Sequence, residues 1–388
     1  MPFGTDCEPD SLISVLKDLS LESLPWPTID GALLPPKVRK FTAAEAPRAA
    51  RNMAARGALP LAAVELVSTL AALAGGEDEA ASIARESLSN LPLPVMREAA
   101  PKLALAEALQ AIAKACASQP EILRLVSANK ATNDQTFVAL ATTPDRETLD
   151  ILANNQVRML AVPLAIECLY FNPLASSVLL DRLIELAGRE GVPLTGIPAL
   201  EEHQTALAAS DEVSALAAEA FEATLAEAQL AANGEAELAN EDIAEATLKD
   251  AKSKPIATLI GKMNMAQKIR LATLGNASAR AVLVRDGAKN VALAAIKSPA
   301  VSVGEATAYA RSKEVAEDVL RFIGNKRDWM RYYEVKHALV ANPKAPTALA
   351  LRLVNHLRDK DVRALSTSRN IPAAVKNAAI QRLKTRAG

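Results

Sequence analysis

The chain is poor in the residues from which most catalytic and metal sites are built. Its 388 residues include three His, three Cys, six Phe, two Trp and four Tyr. Cys7, Cys116 and Cys168 lie far apart with no Cys-x-x-Cys pair, which argues against a disulfide framework and against a cysteine metal site. His203, His337 and His356 include no i,i+4 pair that would set two imidazoles on one helical face. No Gly-x-Ser-x-Gly, P-loop or Gly-x-Gly-x-x-Gly sequence occurs. No catalytic residue, metal ligand or cofactor is therefore assigned, and a non-enzyme is expected. No window of about 18 residues is apolar and uncharged enough to span a bilayer. The opening MPFGTDCEPD lacks a basic stretch leading into an apolar core. These absences predict a cytoplasmic protein without membrane insertion.

Glycine is also scarce, at 15, and the 22 prolines are scattered singly or in pairs. Half of the chain is apolar, mostly Ala, Leu, Val and Ile, and Ala and Leu head the helix-propensity ranking. Prolines near helix starts and just past helix ends punctuate many short helices. The fold class read from this pattern is all-α. Leu61–Leu73 is an apolar run stopped by Gly75-Gly76, and Val95–Ala117 reads as helical with a break at Pro101.

A net charge of -1 hides a strong asymmetry. Residues 1–250 carry 18 Lys+Arg against 36 Asp+Glu, whereas residues 251–388 carry 26 against 9. Residues 201–248 hold 12 acids and no Lys or Arg, after a Pro/Gly stretch at 191–198 that reads as a linker. The predicted organisation is an irregular segment at 1–42, a helical-repeat array at 43–190, an acidic linker at 191–254, partly helical or disordered, and a basic helical-repeat array at 255–388.

Helical phrases ending in a polar residue and Pro recur at Thr143-Pro144, Asn172-Pro173, Ser298-Pro299 and Asn342-Pro343. The last copy is the sharpest: Ala338, Leu339 and Pro346 match Ala364, Leu365 and Pro372 at an offset of 26. A period of about 22–29 residues made of two short helices is a solenoid signature, because one such unit cannot bury its apolar face alone. The phrase VKHALVANPKAPTALALRLVNH, followed by VRALSTSRNIPAAVKNAAIQRL, resembles the leucine-rich-repeat-variant group of bacterial α-solenoids, relatives of HEAT repeats. The span from Met263 to Leu383 also resembles the C-terminal part of an uncharacterised bacterial helical-repeat family. The resemblance implies an α-solenoid of short helical repeats and no particular activity. The founding member of that group is associated with a cysteine-ligated iron–sulfur cluster ahead of its repeats; this chain, with only Cys7 near its N-terminus, departs from that pattern.

One stretch of the basic array stands out. Residues 321–336 hold four of the aromatic side chains interleaved with bases. Aromatic faces beside guanidinium groups can stack on bases or grip phosphates. The candidate partner-binding residues are Arg321, Lys326, Arg327, Trp329, Arg331, Tyr332, Lys336, Lys344, Arg363 and Arg369. Asp328 beside Trp329 invites comparison with HEAT-like DNA glycosylases, but two adjacent residues are too common to carry that assignment. The expected function is a protein-interaction scaffold, with the acidic segment docking on or masking the basic array. The alternative is nucleic-acid binding along a basic stripe within residues 255–388.

Overall fold

The computed structural model describes residues 19–43, 45–208, 220–225, 255–368 and 370–387. All regular structure among them is helical, with no strand. The chain divides into two compact units, Met1–Gly196 and Ile197–Gly388. The first contains α1 (Pro36–Thr42), α2 (Arg48–Ala55), α3 (Ala63–Ala74), α4 (Glu79–Ser89), α5 (Leu93–Ala99), α6 (Ala106–Ala115), α7 (Pro120–Ala128), α8 (Asp134–Leu140), α9 (Arg146–Asn154), α10 (Gln156–Ala161), α11 (Pro163–Phe171) and α12 (Ser177–Glu190). The second contains α13 (Leu200–Ala208), α14 (220–225), α15 (Pro255–Lys262), α16 (Met265–Leu274), α17 (Ala277–Leu283), α18 (Lys289–Lys297), α19 (Val303–Arg311), α20 (Glu317–Asn325), α21 (Tyr333–Ala341), α22 (Thr347–Val354), α23 (Asp359–Thr367) and α24 (Ala373–Ala387).

The helices are short because the sequence starts and stops them often. Pro36, Pro120 and Pro163 occupy the first helical position of α1, α7 and α11, where a missing N–H costs nothing. Asp78, Asn133, Asp145, Asn264, Asn276 and Ser302 cap α4, α8, α9, α16, α17 and α19 through side-chain oxygens. The break predicted at Pro101 is present as a 3-10 turn, Ala100–Lys102, between α5 and α6. In the second unit α21 and α23 start 26 residues apart, as do α22 and α24, so the matched phrases occupy equivalent helices. Most helix packing joins helices one to three places apart in the chain; α13, which also lies on α18, is the exception.

Helix ends set the main physical problem. Each α-helix leaves four C-terminal carbonyls without an internal partner. Asn129, the C-cap of α7, donates both amide hydrogens of Nδ2, to the carbonyls of Ala100 (2.6 Å) and Leu103 (2.9 Å). Asn172 at the end of α11 does the same to Ala141 and Thr143, both at 2.9 Å. Asn342 at the end of α21 does so to Ala310 (2.7 Å) and Ser312 (2.9 Å). Each Oδ1 then accepts the N–H two residues on, from Ala131, Leu174 and Lys344. Arginines make the same clamp elsewhere. Arg85 donates to the carbonyls of Ala74 and Gly76, Arg158 to those of Lys130 and Thr132, and Arg382 to those of Val354 and Leu357.

The segment before α1 is not irregular throughout: it contains a 3-10 turn, Gly31–Leu33, and its end forms α1. It also carries buried Leu21, Leu24, Ile29 and Leu34. Gln110 Nε2 donates to the Pro25 carbonyl at 3.0 Å, and Lys114 Nζ donates to the carbonyls of Glu22 and Leu24. Trp26 lies between the Arg85 guanidinium (4.8 Å) and the Lys114 ammonium (5.5 Å). Gly75 is required here for space, since a Cβ would sit 2.2 Å from the Pro27 carbonyl oxygen.

The described parts of the acidic segment, α13 and α14, are built into the second unit. Glu202 pairs with Lys297 at 2.5 Å, and Phe221 is buried with the Arg270 guanidinium 5.3 Å from its ring. The remainder of 201–248 lies outside the described residues.

Two predictions follow from these contacts. Asn342→Ala strands two carbonyls, and each buried unsatisfied polar group costs about 1–3 kcal/mol. Urea unfolding of the variant should show a loss of about 2–6 kcal/mol; an unchanged midpoint would remove the clamp from the account. The second concerns acid. The Arg124 guanidinium binds both Asp145 oxygens, at 2.8 and 2.9 Å, and Thr148 donates its N–H and O–H to the same carboxylate. The hydrogen bond from Arg124 first, and then those from Thr148, hold the Asp145 carboxyl well below the usual carboxylate range despite its partial burial. A depressed folded value stabilises the fold above the unfolded value of about 3.9, and that stability is lost as pH falls further. Stability of the wild type relative to Asp145→Asn should therefore be constant at neutral pH and shrink below pH about 4.

Candidate functional site

Several cations of the second unit are engaged in structural pairs. Arg280 is a buried example: Nε and Nη2 donate to Glu305 at 3.0 and 3.1 Å, and Nη1 donates to the Gly275 carbonyl at 2.7 Å. Glu305 also accepts the Tyr309 hydroxyl and the Ser302 N–H, which completes the α19 capping box. Burial, with the Glu305 charge adding to it, raises the Tyr309 hydroxyl well above its ordinary pKa. Further pairs are Lys268–Asp286, Arg285–Glu314, Lys289–Asp318 and Arg382–Asp359. Arg358 lies 4.2 Å from the Tyr333 ring, whose hydroxyl donates to Asp361 and accepts the Arg358 N–H.

The 321–336 stretch splits into a buried and a displayed part. Trp329 corrects its expected role: it is 4% exposed, sits edge-on to Phe322 at 6.2 Å, and carries the Lys326 ammonium 4.3 Å from its ring. It fills the junction between α20 and α21 and has no face to offer a partner. Arg321 pairs with Glu317 at 2.6 Å and Asp318 at 3.9 Å, and Arg331 pairs with Asp328 at 3.6 Å. Tyr332 is 48% exposed. Lys344 and Arg363 are exposed, and Arg369 lies outside the described residues.

Arg327 and Lys336 come together with two residues outside the expected set, Arg352 and His356. These four line a cleft of about 460 Å³ bounded by the ends of α20 and α22 and the start of α21. Met330 and Leu353 form its apolar wall, and Asn325 and Gly324 complete it. No carboxylate lines the cleft, and Arg327, Lys336 and Arg352 have no ion-pair partner among the described residues. Arg327 follows the C-terminus of α20 and Arg352 lies in the last turn of α22, places where the helix dipole favours a cation. That accounts for two of the charges singly. Gly324, at the cleft, leaves room for the Leu349 side chain of α22, whose Cδ2 would lie 2.3 Å from a Cβ there. Arg352 and His356 carried one sequence signal, an i,i+4 spacing at the end of an apolar helix, which sets both on one side of that end.

The remaining reactive candidates are structural. Cys116 and Cys168 are free and buried, and burial pushes both thiols up to about 12, away from nucleophilic use. His337 stacks on Tyr333 with centroids 6.3 Å apart, and His203 is buried. No cluster of three or more His, Cys, Asp or Glu suited to a metal occurs among the described residues. No described helix is long and apolar enough to cross a membrane. Comparison with models of known protein families, with curated proteins and with solved structures finds no match in any of the three.

The room that Gly324 leaves for Leu349 can be measured. Gly324→Ala should destabilise the fold by about 1–3 kcal/mol through overpacking against Leu349. The same change in a Leu349→Ala background should cost at least 0.5 kcal/mol less by the usual coupling of touching residues, roughly. Additive effects in a double-mutant cycle would show that the two helices do not press on this glycine.

Proposed function

We propose that this protein is a non-enzymatic binding module, an α-solenoid of short leucine-rich-repeat-variant or HEAT-like helical repeats that takes an acidic segment of a protein partner in the cleft of its second unit. Support for the repeat reading comes from the side-chain clamps, whose donors and acceptors mostly lie 25–32 residues apart, and from α21–α22 recurring as α23–α24 after 26 residues. In such an array each unit touches its neighbours, and the surface, rather than a single enclosed pocket, does the recognising.

The observation that carries the binding reading is the convergence of Arg327, Lys336 and Arg352 on one cleft that no carboxylate of the described residues lines. Unpaired cations brought together repel one another, and an anionic partner relieves that repulsion while forming charge-assisted hydrogen bonds. A protein segment fits this better than a nucleic-acid backbone. Within residues 255–388, Arg270, Arg280, Arg285 and Lys268 are buried or paired. Lys344, Lys360, Arg363 and Lys384 are exposed, so the oligonucleotide arm below tests whether a track of roughly six to ten cations takes a polyphosphate instead. The acidic stretch 201–248 belongs to the same picture: Glu202 and Phe221 show basic groups of this unit, Lys297 and Arg270, taking partners from within it.

Fluorescence anisotropy of the full-length protein with a degenerate pool of Asp/Glu-rich heptapeptides, and separately with single- and double-stranded oligonucleotides, tests the reading. The acidic pool should bind, and the Arg327→Ala/Lys336→Ala/Arg352→Ala variant should bind at least about tenfold more weakly, the loss of about 1.4 kcal/mol or more. A neutral pool should not bind. Oligonucleotide binding that survives the triple substitution, with no peptide binding, would overturn the proposal.

A further inference from the structure

The cleft holds more positive charge than a single carboxylate can match. Two guanidinium groups, one ammonium and an imidazole line the same space, with an amide from Asn325 beside them. A side-chain carboxylate brings one negative charge and two acceptor oxygens. A phosphate monoester brings about -1.5 to -2 charges at neutral pH and three acceptor oxygens. Guanidinium forks pair with phosphate through two parallel N–H···O bonds, and an ammonium complements them as a point charge. The donor set here, Arg327 and Arg352 with Lys336, has that composition, and among the described residues no acid in the lining competes for it.

The apolar part of the cleft narrows the ligand further. Met330 and Leu353 lie in the same lining as the cations, so the site pairs an anion with a short stretch of carbon. At about 460 Å³ it falls within the usual range for a single ligand group, about 300–1,000 Å³. That is room for one phosphorylated side chain and its adjoining backbone.

We infer that the cleft formed by Arg327, Lys336, Arg352 and His356 is a phosphate-monoester site, and that its ligand is a phosphorylated serine or threonine in an acidic protein segment. This rests on the preceding reading of the cleft as the partner-binding surface and specifies the anion it selects. Arg352 and Arg327 grip the phosphate oxygens, Lys336 supplies charge, and the Met330–Leu353 wall receives the side-chain carbon. No bond is made or broken.

The test uses the full-length protein and three matched pools of fluorescent acidic heptapeptides whose central residue is phosphoserine, Glu or Ser. The phosphoserine pool should bind at least tenfold more tightly than the Glu pool. Free phosphoserine and inorganic phosphate should both displace it, the former at lower concentration, which separates a phosphorylated side chain from bare phosphate as the ligand. Arg352→Ala and Arg327→Ala should each reduce phosphoserine-pool binding about tenfold, and Arg352→Lys should recover only part of it, because a point charge cannot replace the fork. Thermal melts of each variant show whether it is folded, and 31P chemical-shift perturbation on the wild type gives a readout independent of the variants. Equal binding of the Glu and phosphoserine pools would overturn the phosphate assignment and leave the acidic-partner reading standing. Binding of none of the pools would overturn both. Phosphoserine-pool binding that is indifferent to Arg352→Ala and Arg327→Ala in folded variants would place the phosphate elsewhere and overturn the assignment to this cleft.

Discussion

The structure depends on satisfying helix-end carbonyls. Its helices run from six to fifteen residues, so end groups are a large fraction of every helix. In a long helix four orphan carbonyls are a minor defect; in a two-turn helix they are half of the backbone acceptors. Water can satisfy them at a surface, but helices packed side by side bury some of those ends. The clamps of Asn129, Asn172 and Asn342, and those of Arg85, Arg158 and Arg382, meet this need with donors from an adjacent helix or the turn that ends it. One hydrogen-bonding device therefore both finishes a helix and fixes its neighbour's position. Hydrophobic burial supplies most of the stabilisation here, as it does in most folds, but burial is not directional, and the clamps are.

The same economy governs charge. A positive excess over residues 251–388 reads in sequence as a surface waiting for a polyanion. In the folded unit much of it faces inward or sideways. Arg280 is locked by Glu305, Arg382 holds two carbonyls and faces Asp359, and Arg270 is packed against Phe221. Breaking a buried pair such as Arg280–Glu305 from one side leaves an uncompensated charge, at a cost of about 3–5 kcal/mol. Such groups are unavailable to a partner. Net charge by segment measures the sum, whereas recognition depends on the part that remains unpaired and exposed.

The all-helical fold was legible because Ala- and Leu-rich runs between prolines admit little else. The break at Pro101 and the equivalence of α21–α22 with α23–α24 were legible for related reasons: a proline lacks an N–H, and Ala, Leu and Pro recurred at one offset. The clamps were half legible. Asn172-Pro173 and Asn342-Pro343 drew notice as phrases, while Asn129 lacks the proline and Arg158 and Arg382 share no letter with them. The requirement is for two N–H donors at one place, which an amide and a guanidinium both meet, so a comparison of residue identities sees only some of the clamps. Trp329 was misjudged because a Trp among bases has the same spelling whether it lies on a surface or fills a junction. Its burial follows from the turn between α20 and α21, which needs a large side chain beneath it.

The cleft shows why a site of this kind is hard to see in a linear reading. Arg327, Lys336, Arg352 and His356 span 30 residues, and only the i,i+4 spacing of Arg352 and His356 links any of them in sequence. What unites them is the fold, which sets the ends of α20 and α22 and the start of α21 around one space. Two of the cations sit where helix dipoles hold them in any case, so the fold tolerates their proximity at little local cost. The residual repulsion is stored at the surface, where an anion can release it. A binding site can thus arise from packing geometry and helix electrostatics together, without a motif of its own.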